Sequence, residues 1–525
     1  MPASAARQLI ASSRSIVPED RLDLVIHAAA QLPSDVTVRI HGDGPLRGQL
    51  ETLAAAYGIE GQVRFESALD PHTDGTCIYP SRHNATTAPI PPGSAVGGSL
   101  ILHDQNRLPT LENPGLVGRS EERAPGTKVV TTMAELVGEV SAPDDPPSPT
   151  CADAHLLKGH RVAMVTNYPT HYRVPLFNSM ARRLSKVGAD MRVFFTDAHP
   201  RRMWMRPEAL SFEHEILRSL RVPGIRTNVP LALKPRLQRY RPSLILVAGF
   251  SSFVAGRAAS LASGRGTAVG VWSGEVASRR TAKSPLRRAQ RRRLIRSASF
   301  GIAYGYRGRE YLRLLAPTLP CVYGRNTVPF SRPVGREISG EALEILTVSR
   351  AVAGKGLEVL IDAVRMLTDL PLRLTIAGGG PMLASLRRRA EGDDRIRVLG
   401  PVESDRVSDL YGAADLFAFP SQVDVFGLVL VEAFAAGLPV VASEAPGATS
   451  DLAVPNRNCL LVEKHTPEAW AASLRLLIED PALRRTLGEA AHATVERRWT
   501  MDHSTDAMIA GLRLGVLQLS GGRTS

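Results

Sequence analysis

The sequence predicts an α/β protein built on parallel sheets, and three observations predict it. Short apolar strands alternate with helical stretches from His160 to about Phe330. The same alternation returns from about Gly340 to Trp499, and part of that second block is repeated near the amino terminus. Near-continuous apolar strands separated by helices imply a parallel sheet covered on both faces. Two such blocks imply two Rossmann-like domains facing a cleft, and the repeat implies a partial third.

Taken in chain order, the repeat comes first. LDLVIHAAAQL at Leu22–Leu32, VTVRIHGDGPL at Val36–Leu46 and VRF at Val63–Phe65 parallel three later segments. Those are LEVLIDAVRML at Leu357–Leu367, LRLTIAGGGPM at Leu372–Met382 and IRV at Ile396–Val398, and Pro80-Ser81 falls where Pro420-Ser421 falls. Residues 1–83 therefore read as a partial, degenerate half-domain. Residues 84–157 are rich in Pro, Gly, Ser and Thr (APIPPGSAVGG, SAPDDPPSPT) and read as a largely irregular linker, with a short helix over Met133–Val140.

The first full domain spans 158–330. Its strands are Arg161–Thr166, Met191–Phe195, Leu244–Ala248, Thr267–Trp272 and Phe300–Tyr304, with a helix over Val174–Leu184. The second spans 331–499, with strands at Ile345–Val348, Leu372–Ala377, Arg395–Gly400, Leu416–Phe419 and Pro439–Ala442. Residues 500–525 read as a last helix and tail that pack back on the first domain.

The most informative segment is DVFGLVLVEAFAAGLPVVAS, Asp424–Ser443. A strand ending in Pro420-Ser421 leads to a loop with Gly427, a helix from Leu428, a stop at Gly437 and a second strand. Such a unit presents backbone N–H groups and the positive end of a helix above the sheet, a setting suited to phosphate. Glu432 lies one turn into the helix, where a carboxylate can accept both hydroxyls of a ribose. Asp424 stands at the loop entrance, eight positions earlier.

This pattern resembles the E-x7-E signature of family-4 retaining glycosyltransferases of the GT-B fold, with aspartate in place of the first glutamate. Further motifs match the family in order across about Ile345 to Trp499: Arg350, Gly354-Lys355-Gly356, Gly378-Gly379-Gly380-Pro381 and Pro420-Ser421. The resemblance implies roles. Arg350 and Lys355 would neutralise the donor diphosphate, where fixed cations stabilise the leaving group's growing charge. The N–H groups around Phe426, Gly427 and Leu428, together with the turn at Gly379, would help to hold the donor. Glu432 would hold the ribose and Asp424 would orient the donor sugar. The partners implied are a nucleotide-sugar donor and a glycan, lipid-linked or small-molecule acceptor, with retention at the anomeric carbon. The nucleotide-sugar is a substrate, and no cofactor or metal is expected.

The amino-terminal copy lacks these groups. Opposite Lys355 stands Asp20 or, aligned on the Ser-Arg pair, Glu19; opposite Asp424 and Glu432 stand Asn84 and Pro92. It is expected not to catalyse transfer by itself. The first full domain departs from the family as well. Asn167–Arg173 replaces the usual glycine pair, and Trp272-Ser273-Gly274-Glu275 replaces a strand-end histidine. His171, Arg173 and Glu275 are thus the candidates for acceptor contact.

Composition bounds the rest. Formal charge is +13, and nine cations crowd Arg279–Arg296: Arg279, Arg280, Lys283, Arg287, Arg288, Arg291, Arg292, Arg293 and Arg296. A solvated helix face is the plain reading and an anionic membrane surface the functional one; no nucleic-acid module accompanies the run. Four scattered cysteines argue against a disulfide framework or zinc site and fit a reducing cytoplasm. No apolar run reaches the ~20 residues of a membrane helix. The expectation is a cytoplasmic protein, peripheral on the inner face of the membrane if the basic run docks there. Two rivals to the transferase are a non-catalytic sugar-nucleotide-binding subunit and a GT-B-fold sugar-nucleotide epimerase.

Overall fold

The computed structural model describes residues 8–12, 22–41, 44–66, 76–80, 99–102, 127–130, 134, 137, 154–196, 209–220, 229–249, 261, 266–276, 285–329 and 342–521. Three parallel sheets organise them. The first is assembled from β1 (Gln8–Ser12), α1 (Leu22–Ala29), β2 (Thr37–His41), α2 (Arg47–Tyr57), β3 (Val63–Glu66), β4 (Thr76–Pro80), β5 (Ser99–Leu102) and β6 (Thr127–Val130). Its strand order is β3-β2-β1-β4-β5-β6. β5 and β6 lie inside the stretch expected to be linker, so the amino-terminal unit runs to Val130 instead of ending at 83. Each is only four residues long, too short to register against its Pro/Gly/Ser-rich surroundings. Of the helix expected over Met133–Val140, only Ala134 and Val137 are among the described residues.

The second sheet takes β7 (Arg161–Thr166), α3 (Arg173–Lys186), β8 (Asp190–Phe195), β9 (Glu213–Ile216), β12 (Leu244–Ala248), β13 (Ala268–Ser273), α5 (Pro285–Arg296), β14 (Phe300–Tyr304), α6 (Gly305–Leu315) and β15 (Cys321–Gly324). Its order is β15-β14-β13-β12-β7-β8-β9, with a small antiparallel pair, β10 (Ser219–Leu220) and β11 (Val229–Pro230), and α4 (Leu233–Tyr240) beside it. β12 and β13 are buried at every position. That explains their unbroken apolar runs, because a strand covered on both faces has no reason to alternate.

The third sheet takes β16 (Leu343–Val348), α7 (Leu357–Met366), β17 (Leu372–Ala377), α8 (Leu383–Ala390), β18 (Ile396–Gly400), α9 (Ser404–Ala413), β19 (Leu416–Phe419), α10 (Leu428–Ala435), β20 (Val440–Ser443), α11 (Gly447–Leu452) and β21 (Leu460–Val462). The order β18-β17-β16-β19-β20-β21 repeats that of the first sheet. α12 (Pro467–Glu479) packs on α7, α13 (Pro481–Arg498) on α10, and α14 (Met501–Gly521) returns to the second sheet against α3, β14 and β15. Gly511 and Gly515 let α14 approach closely: a Cβ at either would lie 2.2 Å from Ile302 Cδ1 or 2.6 Å from Phe300 Cε1.

The chain crosses between the two full domains twice, and the crossings are tied together. Thr327 Oγ1 donates to the Trp499 carbonyl at 2.8 Å, and Trp499 Nε1 donates to the Asn326 carbonyl at 2.9 Å. The first unit reaches this junction. Arg325 donates to the carbonyls of both Arg498 (3.0 Å) and Ala30 (2.8 Å), and the Tyr323 N–H donates to Tyr57 Oη at 2.7 Å. Among the described residues no helix is long and apolar enough to cross a membrane.

Candidate active site

In the third sheet β16 has β17 on one side and β19 on the other, so the connections leaving β16 and β19 diverge. Open parallel sheets bind ligands in the crevice at such a switch point, beyond the carboxyl ends of the strands. The loops leaving β16 and β19 meet there. The Gly354 carbonyl accepts from Gln422 N (2.9 Å) and Val423 N (3.0 Å). Gly356 has φ +69°, and a Cβ on it would lie 2.1 Å from the Pro420 carbonyl oxygen. Both the left-handed backbone and the close approach demand glycine. Lys355, between these glycines, is buried and donates from Nζ to Asp424 Oδ2 at 2.5 Å. Two residues 69 positions apart thus form one ion pair across the switch point.

Gly427 opens α10 with φ +100°, packed so closely on the Phe419 ring that a Cβ would lie 2.5 Å from it. A glycine at this position offers no side-chain cap. The first-turn N–H groups of α10, beginning at Leu428, are therefore unclaimed by a capping side chain. Phe426 is buried and stacks on Trp499, with centroids 6.5 Å apart. One turn into α10, Glu432 Oε2 accepts from Tyr411 Oη at 2.8 Å. Burial raises the Glu432 carboxyl above its ordinary value, and the Tyr411 hydroxyl opposes the shift. At the end of β17, Gly378 has φ +138°, and a Cβ there would lie 1.8 Å from the Ser349 carbonyl oxygen. Gly379 packs on Pro401. Arg350, at the end of β16, is exposed.

The structure thus brings Lys355 and Asp424 into contact and puts Phe426, Gly427, Leu428 and Glu432 on the same strand-end loop and helix. Arg350 and Gly379 stand at the ends of the next two strands. Three further residues stand at this crevice, of which Tyr411 and His465 were not singled out from sequence. Tyr411 orients Glu432. Ser421 is buried with its hydroxyl unpartnered. His465 comes against Gly356, and its imidazole is shifted down by burial. Pro420-Ser421 was legible as a motif, but nothing in the local pattern marks Tyr411 or His465, because only the sheet order brings them here.

The first full domain, that of the second sheet, faces this crevice, with Gly305 against Phe426 and Asp451. Arg173 opens α3, donates from Nη1 to Thr166 Oγ1 at 2.6 Å and lies over the Trp272 ring, 5.2 Å from its centroid. His171 packs edge-on to Tyr172. Glu275 is already paired: its Oε1 accepts from Arg291 Nη2 at 2.5 Å, and Arg291 also donates to Tyr311 Oη at 2.6 Å. Arg291 is therefore turned inward from the basic run, while Arg292, Arg293 and Arg296 are exposed. Of the other cations, Arg279, Arg280 and Lys283 lie outside the described residues.

The domains touch through α6 and α11. The Tyr306 N–H donates to Asp451 Oδ1 at 2.9 Å, and Arg307 donates to Ser450 Oγ at 2.9 Å and to the Glu444 carbonyl at 3.0 Å. Burial pushes the Asp451 carboxyl up to about 7, against the Tyr306 N–H, which stabilises its charged form.

Residues 334–494 match the family model "Glycosyl transferases group 1". The D-inositol 3-phosphate glycosyltransferase of Xylanimonas cellulosilytica is 37% identical over 172 residues, covering 31% of this chain and 40% of that protein. The protein of the same name from Corynebacterium glutamicum is 39% identical over 155 residues, covering 27% and 37%. The chain therefore spans about 40% of the length of the curated relatives it matches. Among solved structures, sucrose-phosphate synthase from Thermosynechococcus elongatus superposes with TM-score 0.54 at 19% identity, covering 70% of this chain and 100% of that one. Anabaena HepE, solved in complex with UDP, superposes with TM-score 0.52 at 18% identity, covering 67% and 98%. The two facing Rossmann-like domains form a GT-B fold.

Proposed function

We propose that the protein transfers a sugar from a nucleotide-sugar donor to an acceptor hydroxyl, with retention at the anomeric carbon. The observation that carries this reading is the Lys355–Asp424 pair across the switch point, next to the uncapped amino end of α10. A diphosphate entering there would meet a buried cation and unclaimed N–H groups, fixed before the leaving group's charge develops. Lys355 would exchange Asp424 for the phosphate oxygens, releasing the carboxylate toward the donor sugar. Arg350 would add a second positive charge from the neighbouring strand end. Glu432, steered by Tyr411, would accept from the ribose hydroxyls.

The acceptor would enter on the side of His171 and Arg173. Glu275 serves there only through Arg291, which it holds in place. No cofactor or metal is needed in this reading. The amino-terminal unit would be a degenerate copy of the donor-binding domain that supports the domain junction. An anionic membrane surface would be met by Arg292, Arg293 and Arg296, which keeps a lipid-linked acceptor within reach. The test is turnover of the purified protein with radiolabelled UDP-, GDP- and ADP-sugars, followed by anomeric analysis of the product. Binding of a donor without turnover under any acceptor would favour the sugar-nucleotide-binding subunit instead.

A further inference from the structure

We propose that a cavity between the first unit and the domain junction binds an uncharged, polyhydroxylated ligand the size of a monosaccharide. The cavity measures about 340 Å³, within the range of small-molecule sites. It lies where the carboxyl ends of α1 and α2 and the start of β2 meet the end of β15 and α14. This is a place apart from the donor crevice. Gln31, Thr37, Tyr57 and Gln62 form the wall on the first unit; Tyr323, Arg325, Asp506 and Ala507 form the wall opposite. Arg325 joins the two walls to the crossing between the full domains. It donates to the Ala30 carbonyl (2.8 Å) and the Arg498 carbonyl (3.0 Å), while its own carbonyl accepts from Ser504 Oγ at 2.5 Å. A ligand held between the walls would therefore bind the first unit to that crossing.

The charges around the cavity already cancel. Asp506 pairs through Oδ1 with Arg183, which also pairs with Asp502 at 2.8 Å, and Arg325 supplies the fourth charge. Burial keeps the His27 imidazole neutral, pushed down to about 3 against the opposing effect of Glu310. A charged ligand would thus enter without a counter-charge, which is unfavourable away from water. Hydrogen-bonding capacity remains. Asp506 Oδ2 is buried and has no partner. Gln31 Nε2 donates to the His27 carbonyl at 3.1 Å and Gln62 Nε2 to the Pro33 carbonyl at 3.0 Å. Both side-chain oxygens are left without a partner among the described residues. Buried polar groups are normally satisfied, so three acceptors on facing walls call for a ligand with several donors. Sugar hydroxyls supply them without charge. The C–H faces of a sugar ring suit the apolar surfaces that Tyr57, Ile59 and Ala507 add to the same cavity.

The test is equilibrium dialysis of the full chain against radiolabelled D-glucose, D-galactose and D-mannose, with ammonium and inorganic phosphate as charged controls. At least one sugar should bind saturably. Its addition should slow hydrogen exchange at residues 58–62 and 323–325. Asp506→Asn should weaken binding about 10-fold, the loss of a charge-assisted hydrogen bond. Thr37→Val should weaken it a few-fold, and Ala507→Leu, which fills the cavity from α14, should abolish it. Should Ala507→Leu fail to fold, the other two variants decide. Sugar binding unchanged in the folded variants would overturn the proposal, as would exchange slowed only around residues 350–356. No saturable binding would mean that the cavity holds water alone, and tighter binding of either charged control would refute the neutral class. None of these readouts uses turnover, so the transferase reading stands or falls separately.

Discussion

The first and third sheets have the same strand order, and among the described residues it is the third that carries a charged constellation at its switch point. In the third, β16 and β19 end in loops that join Lys355 to Asp424. In the first, the matching sequence positions are Glu19 or Asp20, and Asn84 and Pro92; these lie outside the described residues. The described part of the first unit instead spends its polar groups on the domain junction. Tyr57 Oη accepts from the Tyr323 N–H, the Ala30 carbonyl accepts from Arg325, and Asp23 pairs with Arg309. Strand order fixes where a site can form, and loop residues decide whether one does.

The comparison breaks most sharply at Lys355. Lys355→Ala should lower turnover by at least ~10²-fold, the scale of losing one preorganised charge-stabilising group. Steady-state kinetics with the preferred donor checks it, and near-wild-type turnover would remove the third sheet's claim to the chemistry. Asp424→Asn should also lose most turnover, but it frees Lys355 from its ion pair. Calorimetry should then show nucleoside diphosphate binding at least as tight as in the wild type, and a matching loss of affinity would assign Asp424 to the nucleotide itself.

Tyr57→Phe is the counterpart in the first unit. It leaves the buried Tyr323 N–H without its acceptor, which should cost about 1–3 kcal/mol in denaturant unfolding. Turnover under native conditions should not change. A loss of turnover with stability intact would give the first unit a part in the chemistry.

Asp451 sharpens the contrast between domains by pH. Its carboxyl stands at about 7 in the folded chain against an ordinary 3.8. The folded state therefore holds the proton longer than the unfolded state does. Its contribution to stability should be greatest at the acid end, fall as pH rises from about 4 to 7, and stay lower above that. Asp451→Asn should remove this slope and stabilise the protein at pH 8 by about 1–3 kcal/mol, with little effect near pH 4. Melting curves across that range read it directly. The effect farthest from the chemistry is expected at α5. Arg292, Arg293 and Arg296 changed to Glu should weaken low-salt sedimentation with phosphatidylglycerol vesicles, at ~1 kcal/mol per charge. Donor turnover in the absence of vesicles should be unchanged.

Much of this was legible in the sequence because the signals were local. Unbroken apolar runs marked β12 and β13 as strands buried on both faces, and the glycines at 354, 356 and 427 marked turns that tolerate no Cβ. The spacing of Asp424 and Glu432 marked one loop and one helix. What stayed hidden depends on contacts between distant segments. Lys355 bonding Asp424, Tyr411 steering Glu432 and Arg291 claiming Glu275 all require the sheet order, which no local pattern encodes. β5 and β6 were missed for a different reason: four-residue strands in a Pro/Gly/Ser-rich stretch carry too few apolar positions to show a period.

The central claim is that the third sheet holds the diphosphate of a nucleotide-sugar through Lys355 and Arg350. Its most direct test is a thermal-shift panel of UDP-, GDP- and ADP-sugars on the wild type and on Arg350→Ala/Lys355→Ala. A ligand at a hundred times its Kd stabilises by ~2.7 kcal/mol, so one donor should raise the wild-type melting temperature by several degrees. The same donor at the same concentration should leave the double variant unmoved. An equal shift in both proteins would contradict the claim.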